Sequence, residues 1–546
     1  MIGRSREAVS YTERPMTQKR YITTPIYYVN ADPHIGHIYT TTVCDVWARF
    51  SRLSGQDTFF LTGTDEHGLK VEQSAQEKGI APKQFADEIS ASFRNVMNAM
   101  DLTFDDFIRT TDPGHERQVQ LFVERLQRSD AVYLGEFEGW YDQGQEEYYT
   151  ETQAKELEYN SPISKKPLVR AREKNYYFRL SAFQERLEQH FKACPDFVRP
   201  SARYNEVLGR LREGLNDVPM SRTNFTWGIQ MPNDSDHVIY VWIDALFNYI
   251  TALGLAEPES ELAMQRSDYW PATYHVIGKE ILWFHAVIWP AILMALEIPL
   301  PACIYAHSFW ISEGQKMSKS MGNFIDCELL DRYRDAYGLD ALRYFMATQG
   351  PLGATDSNFA ASQFHETYAA DLVNTLGNCA SRVTAMIGKY FEGQVPNECD
   401  PDGKRISVGD TDWPLLTQQA AKESAALMAD FNLSGSIAAA MGIIRKVDAF
   451  INATEPFKLA KDPEQQADLS AILYQCAEAI RIAGCLLWPV IPDRCETLFK
   501  ALGQTFAPGE DHLQDLTQWG RLQPGTSVEK IALFPRIDAA LDMTTS

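Results

Sequence analysis

The sequence predicts an α/β protein, a doubly wound parallel sheet with a connective insertion, followed by an all-α helical bundle. Three observations carry that prediction. Strand-like and helical patterns alternate near residues 20–62 and again near 273–309, as strand–helix–strand crossovers require. A Glu- and Tyr-rich stretch at 135–221 separates the two runs. Beyond about residue 361 strand signals fade and Ala-rich amphipathic runs take over.

Residues 21–29 are β-branched and aromatic, and the break Asn30-Ala31-Asp32-Pro33 ends them. A helical stripe follows through Ile38, Val43, Val46, Trp47, Phe50 and Leu53, stopped by Gly55. Residues 58–62 read as a second strand, and 273–277, 279–296 and 302–309 as strand, helix and strand. Turn signals at Gly139, Gly144 and Ser161-Pro162 mark the insertion. In the bundle, 433–450 and 469–487 are the long amphipathic runs, broken by Pro456, Pro463, Pro489 and Pro492. The expected parse is an N-terminal extension (1–19), the first half of a nucleotide-binding domain (20–134), the insertion (135–221) and the second half (222–310). A loop-bearing segment (311–360) and the helical domain (361–546) follow. The extension is polar, lacks an apolar signal core and reads as a disordered tail, with a start at Met16 as the alternative.

With 546 residues, 45% hydrophobic and 23% charged, the chain has the composition of a multidomain globular protein. The richest apolar stretch, 281–296, is interrupted by His285 and Pro290 and falls short of the roughly 20 residues that cross a bilayer, so no membrane partner is expected. The nine cysteines form no C-x-x-C pair, which argues against a zinc finger or disulfide framework and fits a reducing cytoplasm. A net charge of -22 counts against non-specific nucleic-acid binding by the whole surface. A local basic face remains compatible with it, because phosphate contacts need only a few well-placed cations.

Two motifs carry chemistry. His34-Ile35-Gly36-His37 falls where a strand turns into a helix, and a helix N-terminus offers unpaired N–H groups to phosphate. Gly36 lets backbone or nucleotide approach, and the imidazoles can donate to phosphate oxygens as charge builds on them. Lys316-Met317-Ser318-Lys319-Ser320, between Glu313-Gly314-Gln315 and Met321-Gly322-Asn323, suits an anionic leaving group. Taken singly, the first also suits a structural helix cap and the second a solvated turn. Their order matters: one follows the first strand of the alternating region, the other follows the last.

Together the motifs resemble the paired ATP-binding signatures of class I aminoacyl-tRNA synthetases. Further stations narrow the resemblance to the methionyl-tRNA synthetase family: Thr24-Pro25-Ile26-Tyr27-Tyr28-Val29-Asn30, Thr62-Gly63-Thr64-Asp65-Glu66-His67-Gly68, Tyr240-Val241-Trp242-Ile243-Asp244-Ala245 with Tyr249, Gly278-Lys279-Glu280, and Phe284-His285. The match runs from about Arg20 to Leu533-Phe534-Pro535-Arg536-Ile537. It implies a Rossmann-like catalytic domain, a stem-contact segment and an anticodon-binding domain. The implied activity is activation of L-methionine with ATP and Mg²⁺, then transfer to the 3′ end of tRNA(Met) for initiation and elongation.

The resemblance also implies roles. His34 and His37 would contact the ATP phosphates; Lys316 and Lys319, with Ser318 and Ser320 beside them, would stabilise the transition state and departing pyrophosphate. Gly36, Gly278 and Glu280 would border the nucleotide, Glu280 on the ribose hydroxyls. Asp65 would hold the methionine ammonium group, and Arg222 would lie near the carboxylate and phosphate. Ile26, Tyr28, Trp242, Ala245, Tyr249, Ile281 and His285 would line the side-chain pocket. Aromatic edges and a weak donor suit a thioether. One lost methylene is worth only about 1–3 kcal/mol in such a pocket, so homocysteine should enter at times. Asn378 and Arg382, at i and i+4, would read the anticodon. Phe457 stands where the family has Trp after Pro; stacking and ordinary packing are equally compatible with it.

One departure is plain. Many relatives hold zinc on cysteine pairs in the insertion, whereas here no cysteine occurs between Cys44 and Cys194, so no zinc is expected. A synthetase for leucine or valine would carry a far longer editing insertion. A catalytically dead RNA-binding paralogue would have lost one of His34, His37, Lys316 or Lys319. A nucleotidyltransferase without a tRNA substrate would not need the helical domain. No dimerisation segment is recognised after Leu533-Phe534-Pro535, so a monomer is expected.

Overall fold

The computed structural model describes residues 19–541 except 31, 143–146, 150, 163, 318–322 and 401. The expected extension therefore lies outside the described residues, apart from Lys19, which opens the first strand.

Among the described residues, seven strands form one parallel sheet: β1 (Lys19–Thr23), β2 (Tyr27–Tyr28), β3 (Asp57–Asp65), β4 (Asp106–Arg109), β5 (Val198–Arg199), β6 (Tyr274–Gly278) and β7 (Ile304–His307). β1 and β2 run along one edge of β3, Thr23 opposite Leu61 and Tyr27 opposite Thr64. β4 takes the other edge, with Leu61 also opposite Asp106. The spatial order is thus β4, β3, β1 with its continuation β2, β6, β7, β5. The chain leaves β1 toward β3 and β4, then returns to its other side with β6. That reversal between β1 and β6 opens a crevice at the carboxyl ends of the strands, where ligands of such sheets bind.

The expected strand over 21–29 is two pieces, because Pro25 supplies no N–H and the ladder resumes only at Tyr27. The expected helix over 279–296 is also divided, into a 3₁₀ turn at Lys279–Ile281, a π-turn at Phe284–Ile288 and an α-helix at Trp289–Ala295. Pro290 cannot donate back to the preceding turn, and the wider turn before it accommodates that loss.

The helices that flank the sheet and build the helical domain include α1 (Ile35–Leu53), α2 (Val241–Thr251), α3 (Asn378–Tyr390), α4 (Leu433–Thr454) and α5 (Gln466–Leu487). α1 is buried on nearly every face, since sheet and helical domain cover opposite sides of it. Its Asp45 accepts from Arg49 at 2.8 Å and from Arg343 at 2.6 Å, and Arg343 donates onward to the Val490 and Pro489 carbonyls. Pairing makes a buried carboxylate tolerable there. The segment Pro463–Leu487, more apolar than the sequence reading recognised, is long enough to cross a membrane by length and composition, yet 94% of its apolar window is buried inside the protein. It is a core helix, and its Glu478 pairs with Arg481 while accepting the Gly520 and Arg521 amides.

At the start of the 135–221 stretch, Val132–Asp142, which begins three residues before it, pairs antiparallel with Val169–Phe178 and with Glu147–Tyr149. Trp140 Nε1 and Tyr159 Oη both donate to Glu151, at 2.8 and 3.0 Å, and the two rings meet at 4.7 Å. An aromatic–carboxylate clasp thus closes this arm near the stretch where relatives were expected to place cysteines.

Candidate active site

The crevice is built first from α1. His34 is its N-cap, in extended conformation, and its Nδ1 accepts from the Gly36 amide at 3.0 Å. His37 Nδ1 accepts from the His34 amide at 3.2 Å, so the two imidazoles form a reciprocal capping box. With Nδ1 occupied as acceptor on both rings, the proton of each neutral imidazole sits on Nε2. Burial and the neighbouring His34 ring hold the His37 imidazole well below its usual range. A Cβ on residue 36 would stand 2.9 Å from His34 Cε1, so glycine there lets the His34 ring fold over the backbone.

The lysine loop is anchored beside this cap. Lys316 ends a short hairpin, opposite Ile311, and its carbonyl accepts from Asn323 Nδ2 at 3.2 Å. That bond closes the loop's base. Phe324 then meets the His34 ring edge-on at 5.3 Å, Ile35 N donates to the Ile325 carbonyl at 3.1 Å, and His34 bridges to Asp326. Lys316 itself is exposed, while Ser318, Lys319 and Ser320 lie outside the described residues. The two motifs, far apart in sequence, share one wall.

Gly278 closes β6 next to this wall. It pairs with His307, whose Nε2 lies 2.8 Å from Thr40 Oγ1, and Thr40 in turn donates to the Gly36 carbonyl. A Cβ on Gly278 would sit 2.3 Å from a Glu280 carboxylate oxygen, so the absent side chain is where that carboxylate rests. Glu280 is open to solvent yet flanked by protein, and this desolvation raises its pKa.

The residues expected to line the side-chain pocket come from three stretches of the chain. Trp242, Ala245 and Tyr249 fall at i, i+3 and i+7 on one stripe of α2. Ile281 and His285 are one helical turn apart, and Ile26 and Tyr28 flank the start of β2. His285 Nδ1 donates to the Ile281 carbonyl at 3.0 Å, which leaves Nε2 as acceptor for the Tyr249 hydroxyl at 2.7 Å. Burial lowers the His285 imidazole to about 4, so it is neutral. Trp242 stacks on Phe284 at 4.1 Å. Asp65 ends β3 opposite Tyr28, and buried Arg222 lies over the Tyr240 ring at 4.1 Å, just before α2.

A family model for class I tRNA synthetases of the M type matches residues 20–165 and 154–384. The methionine–tRNA ligase of Halalkalibacterium halodurans is 41% identical over 95% of this chain and 78% of its own length. That of Streptomyces coelicolor is 40% identical over 97% and 99%. Mycobacterium tuberculosis methionyl-tRNA synthetase in complex with methionyl-adenylate superposes with a TM-score of 0.85 at 36% identity, covering 95% of this chain and all of that one. The chain belongs to the methionyl-tRNA synthetase family.

Two further groups of residues in this family member lie away from that wall. In the helical domain, Asn378 is exposed at the start of α3, and Arg382 donates to Asp448 and Asn452 on α4, both at 3.1 Å. Phe457, 45% exposed, follows the end of α4. Arg382 thus already has acceptors, and reading a base would mean exchanging them. The second group was missed by sequence reading. His67 Nδ1 lies 2.7 Å from Asp244 Oδ2, and His115 Nε2 lies 2.7 Å from Asp244 Oδ1. Burial is the largest single influence and lowers His67, but the Asp244 charge and hydrogen bond, joined by Glu116 and Asp65, together outweigh it and hold the ring up at about 10. His67 and Asp244 stood inside quoted motifs, yet no local pattern pairs residues 177 positions apart. Among the described residues no cluster of three or more His, Cys, Asp or Glu has the makings of a metal site.

Proposed function

We propose that this chain activates L-methionine with ATP, forming methionyl-adenylate and pyrophosphate, and transfers the methionyl group to the 3′ end of tRNA(Met), for initiation and elongation. The observation that carries the reading is the shared wall: the base of the lysine loop docks on the histidine cap of α1, at the sheet's topological switch. Relatives in the family, methionine–tRNA ligases matched over 78% and 99% of their own length, support it.

In the first step a methionine carboxylate oxygen attacks the α-phosphorus and the bond to pyrophosphate breaks. Charge grows on the phosphate oxygens, and preorganised donors are worth most at that point. The Nε2–H groups of His34 and His37, fixed by their occupied Nδ1 atoms, supply them. Lys316 and Lys319 take the departing pyrophosphate, with Ser318 and Ser320 beside them. Glu280 accepts from the ribose hydroxyls across Gly278. ATP enters with Mg²⁺ as the counter-ion of its phosphates.

Asp65 pairs with the ammonium group and Arg222 faces the carboxylate. Ile26, Tyr28, Trp242, Ala245, Tyr249, Ile281 and His285 surround the thioether. In the second step the terminal ribose hydroxyl of tRNA attacks the carbonyl carbon, the bond from that carbon to the phosphate oxygen breaks, and AMP leaves, its phosphate taking up the hydroxyl proton. Asn378 and Arg382 pair with anticodon bases and Phe457 offers a stacking face. The arm at 135–221 folds without zinc, the Glu151 clasp holding its tip, and the enzyme works as a cytoplasmic monomer.

Methionine-dependent ATP–pyrophosphate exchange, followed by charging of tRNA(Met), tests the reading. Folded protein that exchanges with leucine and not methionine, or with neither, would overturn it.

A further inference from the structure

We propose that Asp244 is a positioning residue of the methionine pocket, tying the helical wall that faces the amino acid's side chain to the strand end that faces its ammonium group. This rests on the functional reading above.

The two walls come from separate parts of the chain. α2 carries Trp242, Ala245 and Tyr249, whereas Asp65 closes β3. Asp244 stands on α2 between Trp242 and Ala245, 1% exposed, and reaches His67, two residues beyond Asp65. Its second oxygen is held by His115, whose other nitrogen lies 2.8 Å from Thr251 Oγ1 at the far end of α2. Gln118, from the same helix as His115, donates to the Thr251 carbonyl at 2.9 Å. One side of α2 is therefore braced at two points, and the Asp244–His67 contact fixes its distance from β3.

The segment after Asp65 is gripped from the opposite side as well. Trp227 packs on His67 at 5.4 Å, donates to the Glu66 carbonyl at 2.6 Å, and accepts from the Gly68 amide at 3.0 Å. Gly68 has φ +106, and a Cβ there would stand 2.9 Å from Tyr28 Oη and 3.6 Å from Val241. Tyr28 and the first residue of α2 thus converge on the turn that His67 secures. A carboxylate bonded to two histidines is a costly way to fill space that an apolar side chain would fill as well. Directional bonds at both oxygens fix a span, which packing alone does more loosely.

The test uses the intact enzyme in pyrophosphate exchange, titrating methionine at saturating ATP and ATP at saturating methionine. Asp244→Asn and His67→Leu are expected to raise the methionine KM by about tenfold or more while the ATP KM stays within about twofold. His67→Asn places an amide nitrogen where Nδ1 stood and should recover the methionine KM to within about threefold of wild type. His67→Asn that fails to recover it, equal rises in both KM values, or a lower melting temperature with neither KM changed would overturn the proposal. Wild-type protein lacking methionine-dependent exchange would instead overturn the functional reading, and this proposal with it.

Discussion

Gly278→Ala separates nucleotide binding from folding. The added Cβ would lie 2.3 Å from one Glu280 oxygen and 2.6 Å from the other, and ordinary contact begins at 3.4 Å. The carboxylate must therefore retreat by about 1 Å, which is far enough to break a hydrogen bond. The clash is with the end of a flexible side chain rather than with backbone, and Gly278 has φ -73, which alanine adopts freely. Stability should consequently change by less than about 1 kcal/mol. If Glu280 holds the ribose hydroxyls, losing a charge-assisted hydrogen bond costs ~1.5–3 kcal/mol, or roughly 10- to 150-fold in the ATP KM. Exchange kinetics with ATP and methionine varied in turn, beside a thermal melt, measure both quantities. Glu280→Gln should reproduce the ATP defect in part. An ATP KM unchanged in Gly278→Ala, with the protein folded, would refute the placement of Glu280 on the nucleotide.

Three other perturbations test separate parts of the molecule. Tyr249→Phe removes the donor to buried His285 Nε2, and an unmet buried acceptor costs about 1–3 kcal/mol, so the methionine KM should rise while the ATP KM holds; equal KM values in variant and wild type would count against the pocket assignment. Arg382→Ala should spare exchange and weaken tRNA(Met) charging by roughly 5- to 150-fold, the worth of a specific base contact, and charging at the wild-type rate would remove it from the anticodon site. Asp340 is buried and its pKa raised to about 6, so its ionisation opposes folding. The stability it contributes is full below the unfolded carboxylate value and lost as pH rises through 6. Asp340→Asn should accordingly raise the melting temperature at pH 7.5, by up to about 3 kcal/mol of stability, and far less near pH 4; a pH-independent effect would contradict this.

The parallel sheet, the divided catalytic region and the helical domain were legible because each imposes a periodicity on consecutive residues. Divisions at Pro25 and before Pro290 were not resolved, since strand and helix patterns tolerate a local break that only the hydrogen-bond ladder exposes. Among site residues, the sequence supplied types and order: imidazoles at a strand-to-helix turn, lysines after the last strand, and aromatic side chains suited to a thioether; that Trp242, Ala245 and Tyr249 share one helical stripe came from the structure. The sequence could not supply their partners. That Gly36 makes room for the His34 ring and Gly278 for the Glu280 carboxylate follows from atoms on neighbouring residues whose rotamers the chain order leaves open.

What the sequence alone determined is everything written in short-range pattern, namely the class of each segment, the motifs with their order, and the absence of cysteine between Cys44 and Cys194. Only the tertiary structure decided which distant groups meet. Asn323 and Phe324 seat the lysine loop on the cap of α1, Asp244 reaches across to His67, and Arg382 rests on Asp448 and Asn452. The reason is physical: hydrogen bonds and charge pairs act over a few ångströms in space whatever the separation along the chain, and strand order, which no local pattern encodes, fixes who is near whom.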